Sequence, residues 1–315
     1  MKPGTDADVA SGAVAMTAME TGVQTGVETG VEPRADRATE AGETGARLFE
    51  IGQLGSSRRS DHEARIRALC YNAYLGEQTS LCRVLGRYKM FVDTGDVGHS
   101  THLLLDGYWE MWTTELMQQL VRPGMTVVDA GANLGYFTLL LADLVGPEGR
   151  VLAFEPNPLI ARRLRQSVAV NGFAGRTTIE EVALGDDERE VGLTVPAGEP
   201  KNAHVVPAGE GDVQVRCHRL DSHGVLPDFI KIDVEGAERA VWRGMTGILT
   251  ARKPLTVVME FVLDRYAEPG LFLDEILRHG FELSRLHHDF GLQQVSREEV
   301  LAAPANVDQL LVLMR

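Results

Sequence analysis

Apolar positions along this 315-residue chain fall into short runs separated by polar turns, and the spacing inside each run indicates its element. From Ser60 onward Ile66, Leu69, Cys70 and Ala73 share one helical face, and Ser60 with Glu63 has capping-box spacing. Leu81, Val84 and Leu85 predict a further helical turn or two, Tyr88 to Val92 a strand, and Asp93 to Thr101 a polar loop. Trp109 to Leu120 predicts a helix that stops before Pro123-Gly124. From Met125 the pattern changes. Met125 to Ala130 is a short apolar strand, Tyr136 to Val145 a helix and Val151 to Glu155 a second strand. Together they make a βαβ unit of about thirty residues, as a parallel crossover requires.

Further units follow: a helix over Leu159 to Val170, strands over Thr177 to Leu184 and Phe229 to Asp233, and a helix after Gly236. A strand over Leu255 to Phe261 and a helix near Phe272 to Leu277 complete them. Such alternation predicts an α/β fold with a mostly parallel, doubly wound sheet. Two stretches depart from it. Gly185 to Cys217 carries alternating pieces, Val191-Leu193-Val195 and Val213-Val215, that suit an inserted hairpin. Phe281 to Leu286 and Gln309 to Met314 predict two terminal antiparallel strands with a loop and no helix between them.

Residues 1–57 are rich in Gly, Thr, Ala and Glu and contain a tandem repeat, Thr21-Gly22-Val23-Gln24 and two near copies. Too little apolar area is present to offset ordering entropy, so a disordered low-complexity tail is expected over 1–57. A helical, lid-like segment is expected over 58–122 and the main domain over 123–315.

An apolar fraction of 44% suffices for a sizeable core. The net charge of -14 disfavours nucleic acid and anionic membrane surfaces, which recruit basic patches. Cys70, Cys82 and Cys217 lie far apart with no CxxC pair, which suits reduced thiols in a cytoplasmic protein. Neither export nor membrane insertion is expected, because the N-terminus lacks an apolar h-region and Leu139 to Val145 is short and broken by Asp143.

Candidate chemistry begins at Asp129-Ala130-Gly131-Ala132-Asn133-Leu134-Gly135, a glycine loop at a strand-to-helix junction. Gly131 would admit a ligand close to the backbone, and the following helix would aim its first amides there. A loop that merely changes direction is the alternative. Strand two ends at Glu155, followed by Pro156-Asn157-Pro158, where a carboxylate can accept hydrogen bonds from both ribose hydroxyls of an adenosine-bearing cofactor. A charge preceding the next helix is the plainer role for Glu155. The loop departs from the dinucleotide pattern GxGxxG, since Asn133 replaces the middle glycine and Phe137 stands near the third. A nucleoside bearing a sulfonium fits it better than a pyrophosphate.

Asp129 to Thr138, Ala153 to Pro158, Asn171-Gly172, Ala183-Leu184 and above all Asp228 to Glu238 (DFIKIDVEGAE) resemble the FkbM family of S-adenosylmethionine-dependent methyltransferases. The likeness runs from about Gly107 to Phe261. It implies a Rossmann-like class I methyltransferase fold, whose terminal antiparallel pair the last two strands would supply. It also implies that Gly131, Ala132, Asn133 and Gly135 surround the methionine part of S-adenosyl-L-methionine, with Asp129 beneath the loop and Tyr136 and Phe137 beside it. Glu155 would hold the ribose, Pro156 and Asn157 would flank the adenine, and Ala183-Leu184 would close over it. Glu110, in Gly107-Tyr108-Trp109-Glu110, matches a cofactor-proximal signature or is an ordinary helix-start acid. The substrate range implied is a sugar hydroxyl, a glycan or a polyketide-type alcohol, methylated on oxygen, with the segment before Met125 as lid.

For that chemistry Lys231, Asp233 and Glu235 alternate along the fourth parallel strand and just beyond it, so all three are expected on one face near the carboxyl edge. Asp233 is the candidate general base or acceptor-orienting carboxylate. Lys231 and Asp233 could instead be a supporting ion pair, and Glu235 a helix cap. Asp233 with Glu260 could ligate Mg²⁺, and His287 or His288 could reach the acceptor as base. Two alternatives stay open: an NAD-linked oxidoreductase, and a catalytically inactive S-adenosylmethionine-binding module.

Overall fold

The computed structural model describes residues 48–55, 58–251 and 254–315, and these form one compact unit. The repeat and most of the segment expected to be disordered lie outside the described residues. Its end does not fit that expectation. Phe49, Ile51 and Leu54 are buried in the core, and the Phe49 N–H donates to the Gly86 carbonyl, so apolar side chains recruit 48–55 into the fold.

The first part holds α1 (Arg59–Leu69), β1 (Asn72–Gly76), β2 (Thr79–Val84), β3 (Tyr88–Asp93), α2 (His99–Leu105) and α3 (Met111–Leu120). Beside its helices this segment contains a three-stranded antiparallel sheet in the order β1-β2-β3. Leu81, Val84 and Leu85, spaced as on a helix, sit instead at a strand and the turn after it. There Ser80, Cys82 and Val84 alternate into the core, and period two wins because β3 offers a partner. The Ser60 to Glu63 spacing does not cap α1, which starts one residue earlier with Arg58 at its N-cap position. The expected loop over Asp93 to Thr101 ends in the first turn of α2.

The main sheet follows. Its strands are β4 (Thr126–Ala130), β5 (Arg150–Phe154) and β6 (Thr177–Glu180), crossing over through α4 (Tyr136–Leu144) and α5 (Pro158–Val170). Next come β7 (Ala183–Leu184), β8 (Arg189–Thr194), β9 (His204–Val206) and β10 (Val213–His218), which form a separate sheet in the order β7-β10-β8-β9. The run Thr177 to Leu184 is therefore two short strands in different sheets, broken at Glu181-Val182. The chain returns with β11 (Phe229–Ile232), α6 (Glu238–Gly244), α7 (Thr246–Ala251), β12 (Thr256–Phe261) and α8 (Pro269–Leu277). It finishes with β13 (Glu282–His287), β14 (Gly291–Gln294), α9 (Arg297–Leu301) and β15 (Gln309–Met314). The stretch between β13 and β15, expected as plain loop, thus holds a strand and a short helix closed by a capping box of Ser296 and Glu299.

The eight strands run β14-β13-β15-β12-β11-β4-β5-β6. Neighbours from β12 to β6 are parallel, while β15 is antiparallel to both β12 and β13. Alternate residues feed opposite cores. Val127 and Phe229 join the cluster that includes α3 and α4, whereas Val128 and Ile230 join the one that includes α6 and α8. Central strands apolar on both faces are what a sheet covered by helices on both sides demands. The order reverses direction at β4, which opens a crevice at the carboxyl ends of β4 and β11.

Candidate active site

That crevice is a cavity of about 240 Å³. Glu110, Gly131, Ala132, Asn133, Tyr136, Phe137, Glu155, Pro156, Ala183, Leu184, Lys231, Asp233 and Glu235 all line it. Asp129, Gly135 and Asn157 stand behind the wall. Asp129 accepts from the Thr138 hydroxyl at 2.6 Å, and the Asn157 side chain caps α5 by accepting from the Leu159 N–H at 3.1 Å.

The glycine loop is shaped by close approach. A Cβ on Gly131, whose φ is +77°, would fall 1.8 Å from the Asp233 carbonyl oxygen. A Cβ on Gly135, φ +98°, would fall 2.3 Å from Leu164 Cδ1 of α5, so this glycine serves helix packing. Between them Asn133 has a left-handed backbone with φ 50°, relieved by its own Oδ1 accepting from the Leu134 N–H at 2.7 Å. Glu110 (φ 38°) and Glu235 (φ 52°) share this uncommon conformation. Strained non-glycine residues gather at ligand sites.

Glu155 ties the loop to β5. Its Oε2 accepts from the Asn133 N–H at 2.9 Å and its Oε1 from the Asn157 N–H at 2.8 Å. A carboxylate offers about four lone-pair positions, so acceptor capacity remains for a ligand. Burial pushes its pKa up to about 7, against the two amide bonds that favour the charged form. The plainer role for Glu155, a charge ahead of α5, belongs to Asn157.

Lys231 is buried, with Nζ 3.3 Å from Asp129, 3.4 Å from Asp233 and 3.1 Å from the Gly131 carbonyl. Its ammonium thus donates to the Gly131 carbonyl and pairs by charge with both carboxylates. Burial alone would lower its pKa, but the charges of Asp233 and Asp129 outweigh it and hold it raised. Glu235 does not follow the strand alternation expected for it. β11 ends at Ile232, and Glu235 lies in a turn whose Val234 and Gly236 N–H groups donate to the buried Glu238. Glu238, the first residue of α6, thus braces the turn, and neither it nor Glu235 caps the helix, whose N-cap position is Ala237. Glu235 instead meets Arg265 at 2.7 Å, and Arg265 also bonds Glu260.

The idea of Mg²⁺ between Asp233 and Glu260 meets the same ion pairs. Asp233 is matched by Lys231 and Glu260 by Arg265, and among the described residues no group of three or more His, Cys, Asp or Glu could hold a metal ion. His287 and His288 lie outside the cavity lining. His288 stacks on Trp112 with ring centroids 4.2 Å apart, and His287 Nδ1 accepts from the Asp289 N–H.

Sequence reading missed His99, Lys201 and Arg265, and gave Trp109 a place in the Gly107 to Glu110 signature and at a helix start but no role of its own. All four line the cavity. The Trp109 ring meets His99 edge-on at 4.7 Å and carries the Lys201 ammonium 5.2 Å from its centroid. Arg265 alone had a signal, a basic residue just past a strand ending in acid. Burial raises Glu110 to about 7, with the Asp233 charge adding to it, and Glu235 to about 7 for the same two reasons. Glu260 is pushed up likewise.

A parallel sheet with β15 inserted antiparallel beside its end, and a glycine loop bonded to a carboxylate at the carboxyl edge, define the Rossmann-like methyltransferase class. Residues 129–283 match the methyltransferase FkbM domain, and over that stretch the chain is similar to this family. A protein-L-isoaspartate O-methyltransferase of Aeropyrum pernix is 37% identical over 86 residues, covering 27% of this chain and 32% of that one. Methyltransferase sdnD of Sordaria araneosa is 27% identical over 209 residues, 54% of this chain and 78% of the other. The 31-O-demethyl-FK506 methyltransferase FkbM of Streptomyces tacrolimicus is 40% identical over 67 residues, 21% and 25% of the two chains. The chain thus spans about a third of the first of these relatives. Among the described residues no helix is long and apolar enough to cross a membrane.

Proposed function

We propose that this protein transfers the methyl group of S-adenosylmethionine to a hydroxyl oxygen of a small molecule, either a sugar or glycan or a polyketide-type alcohol. The observation that carries the reading is the bond from the Asn133 N–H to Glu155, which joins glycine loop and carboxylate in one wall. The residues fit the cofactor. Glu155 keeps acceptor capacity for ribose hydroxyls beyond its two amide bonds, and the Glu110 carboxylate in the same lining suits a sulfonium cation. Asn133, in place of the middle glycine of the dinucleotide pattern, leaves the loop poorly suited to the pyrophosphate of a nicotinamide dinucleotide. Two of the relatives bear names that specify an oxygen site, which supports an oxygen acceptor.

Bound there, S-adenosylmethionine supplies a methyl carbon made electrophilic by its sulfonium. Glu155 holds the ribose, Gly131 to Asn133 take the methionine part, and Phe154, Ala183 and Leu184 shield the base. Lys231 fixes Asp233 in place by charge and by geometry. Asp233, at the open end of β11 with its side chain 40% exposed, faces the acceptor and orients its hydroxyl. Trp109 and Glu110, from the segment before β4, cover the crevice and exclude water.

The test is calorimetry with S-adenosylmethionine followed by transfer of a labelled methyl group to a panel of methyl glycosides, inositols and macrocyclic alcohols. Asp233→Asn keeps the shape of the side chain and should lower turnover about 10²- to 10⁴-fold while cofactor affinity stays nearly intact. Failure to bind S-adenosylmethionine would overturn the reading, and binding without transfer to any alcohol would favour a binding module.

A further inference from the structure

His99 stands out among the cavity residues for a polar atom without a partner. The side chain is only 6% exposed and lines the cavity, yet its Nε2 is buried and makes no hydrogen bond. Leaving a buried polar atom unpaired costs about 1 to 3 kcal/mol, so a native site keeps one for a use.

The surroundings of the ring are built rather than incidental. Asp96, itself buried, accepts from the Gly98 N–H through Oδ1 at 2.9 Å, and from both the N–H and the hydroxyl of Ser100 through Oδ2 at 2.9 Å. Those three bonds clamp the turn on either side of His99. The ring is then held edge-on against Trp109. A ring packed against Trp109 on a clamped turn, with its Nε2 lacking a partner, is arranged to receive something.

We infer that His99 is a catalytic residue on the acceptor side, its Nε2 taking the hydrogen bond and then the proton of the hydroxyl that Asp233 orients. The inference rests on the methyl-transfer reading and deepens it. As the acceptor oxygen bonds to the methyl carbon, the carbon–sulfur bond breaks with its electron pair passing to sulfur. The hydroxyl proton passes to Nε2, so the alcohol leaves as a neutral ether and the imidazole as imidazolium. Burial holds the ring neutral, with its pKa lowered to about 4, the state a proton acceptor needs. The charges that face it are Asp96 and Asp233, which stabilise imidazolium, and Lys201 and His102, which oppose it.

Two variants of the full chain test this, with stability and S-adenosylmethionine affinity read alongside transfer to the alcohol panel. His99→Phe removes the free nitrogen but keeps a flat ring against Trp109. Its Tm is expected to equal or exceed wild type, its cofactor affinity to stay within twofold, and its transfer to fall about 10²- to 10⁴-fold. His99→Gln retains a hydrogen-bonding side chain but cannot take a proton, so acceptor KM should stay near wild type while kcat falls. A Tm drop in His99→Phe beyond about 4 °C would mark a structural residue and overturn the inference whether or not an acceptor is in hand. Transfer within threefold of wild type in both variants would overturn it as well. Wild-type protein that fails to bind S-adenosylmethionine at all would sink the methyl-transfer reading instead.

Discussion

Gly131 and the carbonyl of Asp233 meet so closely that a single added methyl group would lie 1.8 Å from the oxygen. The glycine loop after β4 and the Asp233 turn after β11 are thus built against one another, about a hundred residues apart in the chain. Gly131→Ala should cost both folding stability and binding, because the contact is with backbone and φ is +77°. S-adenosylmethionine affinity should fall at least tenfold, with a lower Tm. Gly175→Ala, where a Cβ meets nothing within 4 Å, is the control and should change stability by less than about 0.5 kcal/mol.

Glu155→Ala removes the acceptor for the Asn133 and Asn157 amides as well as the proposed ribose contact. Calorimetry should show S-adenosylmethionine bound more weakly by about 1 to 3 kcal/mol. Unchanged affinity would contradict the assignment of the ribose to this carboxylate.

Lys231→Met should be severe for the fold. It strands the Asp129 carboxylate, which is fully buried, without its cation. Breaking a buried pair from one side costs about 3 to 5 kcal/mol, to be read by urea unfolding. A mild effect would mean that Lys231 acts on the ligand rather than on Asp129.

The raised acids make stability depend on pH in a definite sense. Glu110, Glu155 and Glu235, at about 7 against an ordinary 4.5, hold their protons longer in the fold than in the unfolded chain. Their contribution is therefore present at low pH and lost as pH rises through that interval. His99, lowered from 6.5 to about 4, works oppositely but only below 6.5. From pH 6.5 upward through neutrality the acids act unopposed by it, so the Tm of the ligand-free protein should fall. Binding of a sulfonium cation favours the charged carboxylates, so S-adenosylmethionine should release protons at pH 7, measurable by calorimetry in buffers of different ionisation heat.

Much of this was readable in order along the chain, and the reason is local. The β4-loop-α4 unit and Glu155 lie within a few dozen residues, and each element's pattern reports its own burial. Leu81, Val84 and Leu85 show the limit: spacing that suits a helix was overruled by pairing with β3. Glu235 shows another, since strand alternation cannot foresee the left-handed turn that delivers it to Arg265.

By itself the sequence determined the layered sheet, the glycine loop and the carboxylate that closes it, because hydrophobic period and backbone sterics act over short spans. Only the tertiary structure decided which charges are matched and that a histidine at the cavity wall keeps a buried nitrogen without a hydrogen bond. Lys231 with Asp129, Arg265 with Glu260 and Glu235, and His99 at the cavity wall depend on contacts between distant segments. Such contacts are settled by how layers pack, and no local pattern records them.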